Sequence, residues 1–161
     1  MWISAAFLLF ALAVNGVNSD VPNISRRCPA GWEKFGSQCF KFFNEYKTWA
    51  EAEKQCVDLG GNLASIQSEV THNFLLAYLK RQEKGITRTW IGAHDATQVD
   101  IWFWSDGSKF EYSAWHSGEP NNGGNAERCA EMGFGDELRW NDARCETRLN
   151  FICYRSARIT M

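Results

Sequence analysis

The chain has 161 residues, of which 45% are hydrophobic and 22% are charged, and its formal net charge is −2. This near-balance, without a cluster of Lys or Arg, argues against nucleic acid and anionic membranes as partners. The length suits one domain with a real core and is too short for two typical domains.

The N-terminal stretch has the pattern of a secretory signal peptide. Residues 3–14 form a largely apolar run, and Val17 and Ser19 satisfy the small-residue rule for cleavage. A bilayer span needs about 20 apolar residues, so this run is too short, and no second candidate follows it. We predict that residues 1–19 are a signal peptide rather than a buried helix, and that the protein is secreted, extracellular and not inserted in membranes.

Six cysteines follow this segment: Cys28, Cys39, Cys56, Cys129, Cys145 and Cys153. An even number behind a signal peptide indicates three disulfides, and spacing alone leaves fifteen connectivities open. A structural zinc site is disfavoured because the chain has no C-x-x-C pair. In the short segment 20–27, Asn23 begins an N-glycosylation sequon.

The next part of the chain has two helix signals. Thr48 and Glu51 form a capping box, and helical spacing then places Trp49, Ala52, Cys56 and Leu59 on one inward face before Gly60-Gly61 ends the helix. The second predicted helix covers residues 68–82 with Ser68 as its cap. Its expected inward residues are Val70, Phe74, Leu75, Ala77 and Leu79, and His72 is expected on its surface.

The second half predicts strands. Short aromatic and β-branched runs occur at residues 90–91, 101–104, 130–132, 138–140 and 151–154, separated by Gly, Asp and Asn. Two helices followed by a mainly antiparallel sheet indicate an α+β fold. Residues 111–125 have no regular pattern, and a long irregular loop in a compact domain is usually functional.

This loop and the following strands are rich in oxygen ligands. Glu119, Asn121, Glu127, Asn141 and Asp142 offer three carboxylates and two amide oxygens, which suit Ca²⁺ with its 6–8 oxygen ligands. Five such residues would leave room for two neighbouring sugar hydroxyls, with each Glu accepting and each Asn donating a hydrogen bond. A cis Glu119-Pro120 bond would help aim residues 119 and 121 at one ion. Taken singly, the same fragments read as a solvated loop and a turn.

These motifs together resemble the C-type lectin domain. "CPAGWEKFGSQCFKFF" resembles the opening hairpin of the long form, "WIGAHD" its core strand, "EPN" its mannose-type sugar motif and "WND" its calcium-binding strand. The resemblance implies the C-type lectin-like fold over residues 28–155, followed by a tail at 156–161. It also implies the disulfides Cys28–Cys39, Cys56–Cys153 and Cys129–Cys145.

The resemblance extends to the site. The five oxygen-bearing residues above resemble the complete side-chain ligand set of the family's principal Ca²⁺, and the same five would bind the sugar: mannose, glucose, N-acetylglucosamine or fucose. The family's auxiliary calcium site corresponds to Val99 and Arg128, although Asp95 and Asn122 retain oxygen ligands. Because Arg128 is a cation, we expect one calcium ion per chain.

The resemblance is to short secreted lectins of fish and venoms, which implies recognition or agglutination of glycan-bearing cells or microbes in innate immunity. One monosaccharide site binds weakly, so we expect weak homo-oligomers or recognition of dense glycan arrays. Calcium and sugar should be released near about pH 4, where carboxylates protonate. Two alternatives are an ice-binding protein like type II antifreeze proteins and a sugar-independent module that binds proteins.

An enzyme is not expected. His72, His94 and His116 lie far apart, and the chain has neither H-E-x-x-H nor G-x-S-x-G. In the protein-binding alternative, Trp115 and His116 near the loop would extend the contact to a protein, and His116 in the loop is also placed to touch a ligand.

Overall fold

The structure, a computed structural model, describes residues 25–82, 85 and 87–160. The predicted signal peptide and the Asn23 sequon lie outside these residues. None of the described helices is long and apolar enough to cross a membrane.

One large sheet forms the centre of the molecule. The described strands are β1 Ser25–Arg27, β2 Glu33–Phe35, β3 Gln38–Lys47, β4 Asn62–Leu63, β5 Thr89–His94, β6 Phe103–Trp104, β7 Cys129–Phe134, β8 Arg139–Ala143, β9 Leu149–Ser156 and β10 Arg158–Thr160. The strand order in the large sheet is β2-β3-β9-β5-β7-β8, and the two shortest strands, β4 and β6, pair with β9 and β5 respectively, outside this order. All described pairs are antiparallel except β5 with β9. The predicted α+β fold with its mainly antiparallel sheet is confirmed.

The two ends of the described chain meet. Strand β1 pairs antiparallel with β10 and forms a separate two-stranded sheet. These short strands lie outside the predicted domain bounds of 28–155.

Helix α1 (Trp49–Asp58) begins where the capping box predicts. The Thr48 hydroxyl accepts a hydrogen bond from the Glu51 backbone N–H, and the Glu51 carboxylate accepts one from the Thr48 backbone N–H. Ala52 and Cys56 are buried as expected, whereas Leu59 is 38% exposed. The inward prediction for Leu59 is wrong because the helix ends before it and Leu59 is the C-cap.

Helix α2 (Glu69–Lys80) begins after its predicted cap, Ser68. Its buried face is formed by Thr71, His72, Leu75, Tyr78 and Leu79. The predicted inward residues Leu75 and Leu79 are buried and Phe74 packs partly buried on the core, whereas Val70 is 67% exposed, Ala77 is exposed and His72 is buried rather than on the surface. His72 can lie in the interior because it has a buried partner: the indole N–H of Trp140 donates a 3.2 Å hydrogen bond to His72 Nδ1.

Trp140 anchors strand β8 in the core. It is fully buried, and the rings of Trp104, Tyr112 and Trp115 each contact it edge to face at 5.7 Å between ring centroids. Such arrangements contribute about 0.5–1.5 kcal/mol per pair beyond burial. The two residues that follow Trp140 belong to the predicted calcium set, so this packing fixes the strand that carries them.

Three disulfides join Cys28 to Cys39, Cys56 to Cys153 and Cys129 to Cys145, as the family resemblance implied. The second links α1 to the central strand β9. The third links the start of β7, which follows the polar loop, to the residues just after β8.

Candidate functional site

The polar loop lies between β6 and β7 and is attached to β8 at its start. The His116 N–H donates to the Trp140 carbonyl at 2.8 Å, and residues 115 and 140 form an isolated bridge. The Glu119-Pro120 bond is cis, and a short 3₁₀ turn at Gly123–Asn125 follows. Apart from that turn, the predicted irregular loop is confirmed.

Asp142 joins the loop to strand β8. Its side chain is almost fully buried, and its two carboxylate oxygens accept hydrogen bonds from consecutive backbone N–H groups. Asn121 N donates to Oδ1 at 3.0 Å and Asn122 N donates to Oδ2 at 2.7 Å. Charge-assisted bonds of this kind are roughly twice as strong as neutral ones, so Asp142 fixes the backbone of the Glu-Pro-Asn segment.

Glu127 returns to the same segment from the other side. Its Oε2 accepts a 2.9 Å hydrogen bond from the Gly123 N–H. A Cβ at Gly123 would lie 2.8 Å from Glu127 Oε2 and 3.3 Å from Asn121 Oδ1. Because both oxygens approach the same point, the absence of a side chain at residue 123 allows them to lie close together.

Glu119 is the least compensated carboxylate in this group. Its pKa is raised by burial first, then by hydrogen bonding to and repulsion from Asp142, and by the charge of Glu127. Its Oε2 is buried without a hydrogen-bond donor. A dication would supply the positive charge that compensates the negative charges of these carboxylates, so the residues fit a calcium ion.

Asn141 differs from the other four residues in its contact. Its Nδ2 donates a 2.8 Å hydrogen bond to Glu131 Oε1, and the fully buried Glu131 is also bound by Arg88. Burial raises the pKa of Glu131, and the hydrogen bonds from Arg88 and Asn141 act in the opposite direction.

The structure therefore brings Glu119, Asn121, Glu127 and Asp142 together, with Asn141 next to Asp142 on β8. Within the described ranges, no three His, Cys, Asp or Glu side chains are arranged to hold a metal ion by themselves. Two of the three carboxylates bind backbone N–H groups instead.

The region of the expected auxiliary calcium site contains an internal ion pair. Arg128 Nη1 lies 3.7 Å from Asp95 Oδ2, and Asp95 is 2% exposed. The same guanidinium donates to the Asn125 carbonyl at 3.4 Å. The Arg128 side chain thus places a positive charge beside Asp95, while Val99 is 43% exposed.

The histidines do not form a common site. His72 contacts Trp140 from α2, His94 lies against Trp49 and Phe103, and His116 packs edge to face on Phe134. Trp115 packs on Trp102 and Trp140, as part of the aromatic core.

Glu131 and Arg88 lie next to the predicted set through Asn141, and the sequence motifs did not reveal them. A signal did exist, since Glu131 is a charged residue in the middle of the otherwise apolar strand "CAEM". Buried charges of this kind are rare unless they are paired.

Comparison with known proteins identifies the family of this chain. Residues 45–155 match the family model of the lectin C-type domain. The chain therefore belongs to the C-type lectin domain family.

Several relatives span most of the chain. Ladderlectin of Oncorhynchus mykiss is 47% identical over 119 residues, which cover 74% of this chain and 63% of ladderlectin. The galactose-specific lectin nattectin of Thalassophryne nattereri is 41% identical and covers 93% of this chain and 94% of its own. A C-type lectin mannose-binding isoform of Notechis scutatus scutatus is 35% identical, with 94% coverage of both chains.

The fold is also that of a protein with a different role. Herring type II antifreeze protein superposes with a TM-score of 0.75 at 31% identity, covering 81% of this chain and all of the antifreeze protein.

Proposed function

We propose that this protein is a secreted, calcium-dependent lectin of mannose-type specificity. The observation that carries this proposal is the gathering of Glu119, Asn121, Glu127 and Asp142 at one loop, with a buried carboxylate oxygen of Glu119 lacking a donor. With Asn141 they would hold one calcium ion and bind the sugar.

Each residue has a distinct task in this mechanism. When bound, calcium supplies open coordination positions that two neighbouring sugar hydroxyls fill. Glu119 and Glu127 would accept hydrogen bonds from those hydroxyls, while the Asn121 amide and the second N–H of the Asn141 amide, whose first binds Glu131, would donate to them. Asp142 holds the loop backbone in place through its two N–H contacts.

The test is retention on immobilised mannose with calcium, repeated with chelator, and elution by free mannose or free galactose. We expect chelator and mannose to elute the protein and galactose to leave it bound. Elution by galactose alone would contradict the mannose specificity. Galactose is a necessary competitor in this test because the relative nattectin is a galactose-specific lectin. Retention that ignores chelator would contradict the calcium mechanism.

Ice binding is the second candidate, and the similarity to herring type II antifreeze protein supports it. Thermal hysteresis measured with and without calcium distinguishes the two functions. A calcium-dependent hysteresis in a protein that does not bind mannose would favour ice. Calcium uptake with neither activity would favour a sugar-independent protein partner.

A further inference from the structure

Glu131 is a carboxylate in the interior of the sheet. It is fully buried on β7, where an unpaired charge would be costly. Arg88 binds it in a bidentate manner: Nε donates to both carboxylate oxygens at 2.8 Å, and Nη2 donates to Oε1 at 2.6 Å. Arg88 itself is 45% exposed and stays in contact with water. The pair therefore places a fixed acceptor deep in the sheet.

The strand register aims this acceptor at the candidate calcium site. Glu131 on β7 lies directly opposite Asn141 on β8, and Trp90 on β5 is its neighbour on the other side. Arg88 immediately precedes β5. Three hydrogen-bonded strands thus set the distances between the guanidinium, the carboxylate and the Asn141 amide.

The Glu131 carboxylate decides which end of the Asn141 amide faces it. An ionised carboxylate only accepts hydrogen bonds, so the NH₂ group of Asn141 must point toward it, at 2.8 Å. The carbonyl oxygen of Asn141 must then point away from Glu131. A rotation by half a turn would set that carbonyl against the carboxylate and lose the hydrogen bond.

We propose that Glu131, held by Arg88, is a positioning residue that fixes the Asn141 carbonyl as a calcium ligand. This inference rests on the proposed function and adds a requirement to it: the calcium set is complete only when the buried pair orients its fifth member. Second-layer partners of metal ligands commonly contribute 10–100-fold to metal affinity.

The experiment is a double-mutant cycle on calcium affinity, measured by calorimetry with E131L, N141A and the double variant. We expect E131L to weaken calcium binding about tenfold when Asn141 is present, and to have little further effect in the N141A background. E131Q, which retains an acceptor oxygen, should restore part of the loss. Unfolding of each variant is measured alongside, and R88M serves as the alternative disruption if E131L does not fold.

A spectroscopic measurement distinguishes a changed orientation of the Asn141 amide from a general loss of calcium affinity. Terbium replaces calcium as the probe, and its luminescence lifetimes in H₂O and D₂O count the water molecules on the ion. If Asn141 no longer coordinates, both E131L and N141A should gain about one water relative to the unaltered protein.

The outcomes separate the two claims. Equal losses from E131L in the presence and absence of Asn141, or an unchanged water count, would overturn the positioning role while leaving the lectin proposal intact. Absence of calcium binding by the unaltered protein would overturn the proposed function and this inference with it.

Discussion

Asp142 shows how one residue serves both structure and the candidate site. Its carboxylate accepts two backbone N–H groups of the Glu-Pro-Asn segment, and the same group contributes negative charge beside Glu119. Loss of this carboxylate should therefore disturb the loop and remove a ligand at once.

We predict that Asp142→Asn weakens calcium binding by at least about tenfold, or about 1.4 kcal/mol. One of the two backbone N–H groups would then face an NH₂ group, and one negative charge would be lost. Calorimetry measures the change, with Asp136→Asn as the control because Asp136 is an exposed carboxylate on the β7–β8 turn. Equal affinity in the two variants would contradict a role for Asp142.

The Arg128 ion pair leads to a prediction about stoichiometry. Because the guanidinium already provides a positive charge at Asp95, we expect the protein to bind one calcium ion per chain. Equilibrium dialysis or calorimetry measures this number. Two ions per chain would show that Arg128 does not exclude a second one.

His72 should make stability depend on pH. Burial lowers its pKa, with Arg139 adding to the effect and Glu69 opposing it, and the neutral ring accepts the Trp140 N–H. A histidine with a lowered pKa in the folded state contributes stability that is complete above its unfolded pKa of about 6.5. That contribution is lost as pH falls toward the lowered value.

We predict that the free energy of unfolding falls below about pH 6.5 and that His72→Asn reduces this dependence. The asparagine retains an acceptor for Trp140 and does not titrate in this range. Denaturant titrations at several pH values compare the two proteins. An identical pH dependence would rule out His72 as the titrating group.

At the scale of elements, local signals predicted some features well and others badly. The capping box predicted the start of α1, and each of the five strand runs of the second half overlaps one of the strands β5 to β9, although residues 101, 102 and 138 lie outside them. The long strand β3 followed only from the family resemblance. The burial of His72 on α2 was missed because periodicity cannot reveal that a polar residue has a buried partner.

The same limit applies to the site. Four of its five predicted residues lie together at the loop. They could be predicted because the ligand types and their spacing were visible in the sequence. The contact between Asn141 and Glu131 was not, since it depends on the cross-strand register of β7 and β8. The register of this hairpin depends on its turn geometry and on the irregularity between Glu131 and Phe134, which the sequence motifs did not specify.

Thr48→Ala should destabilise the protein by about 1 kcal/mol, the usual cost of losing an N-cap side chain. The substitution leaves the Glu51 backbone N–H without its capping oxygen. Chemical denaturation measures the loss, and Thr97→Ala, at an exposed turn position, is the matched control. Equal stability of both variants would mean that water replaces the cap without cost.

At the scale of the whole molecule, the proposed single shallow sugar site per chain would limit affinity. We predict millimolar inhibition by free mannose, about −4 kcal/mol, together with much stronger retention on densely mannosylated surfaces. Surface binding at several ligand densities, combined with sedimentation analysis of the oligomeric state, tests this. Tight binding of free mannose by a strict monomer would contradict it.

The position of β9 has a consequence for biosynthesis. This strand lies between β3 and β5 at the centre of the sheet, yet its residues 149–156 follow both of those strands in the sequence. During translation, β3 and β5 cannot pair with β9 until it has been synthesised, and Cys56 cannot form its disulfide until Cys153, 97 residues later, is available. In a secreted protein, as proposed here, β3 and β5 would enter the oxidising compartment with their shared edges unpaired, which gives chaperones and disulfide isomerases a long interval in which to act.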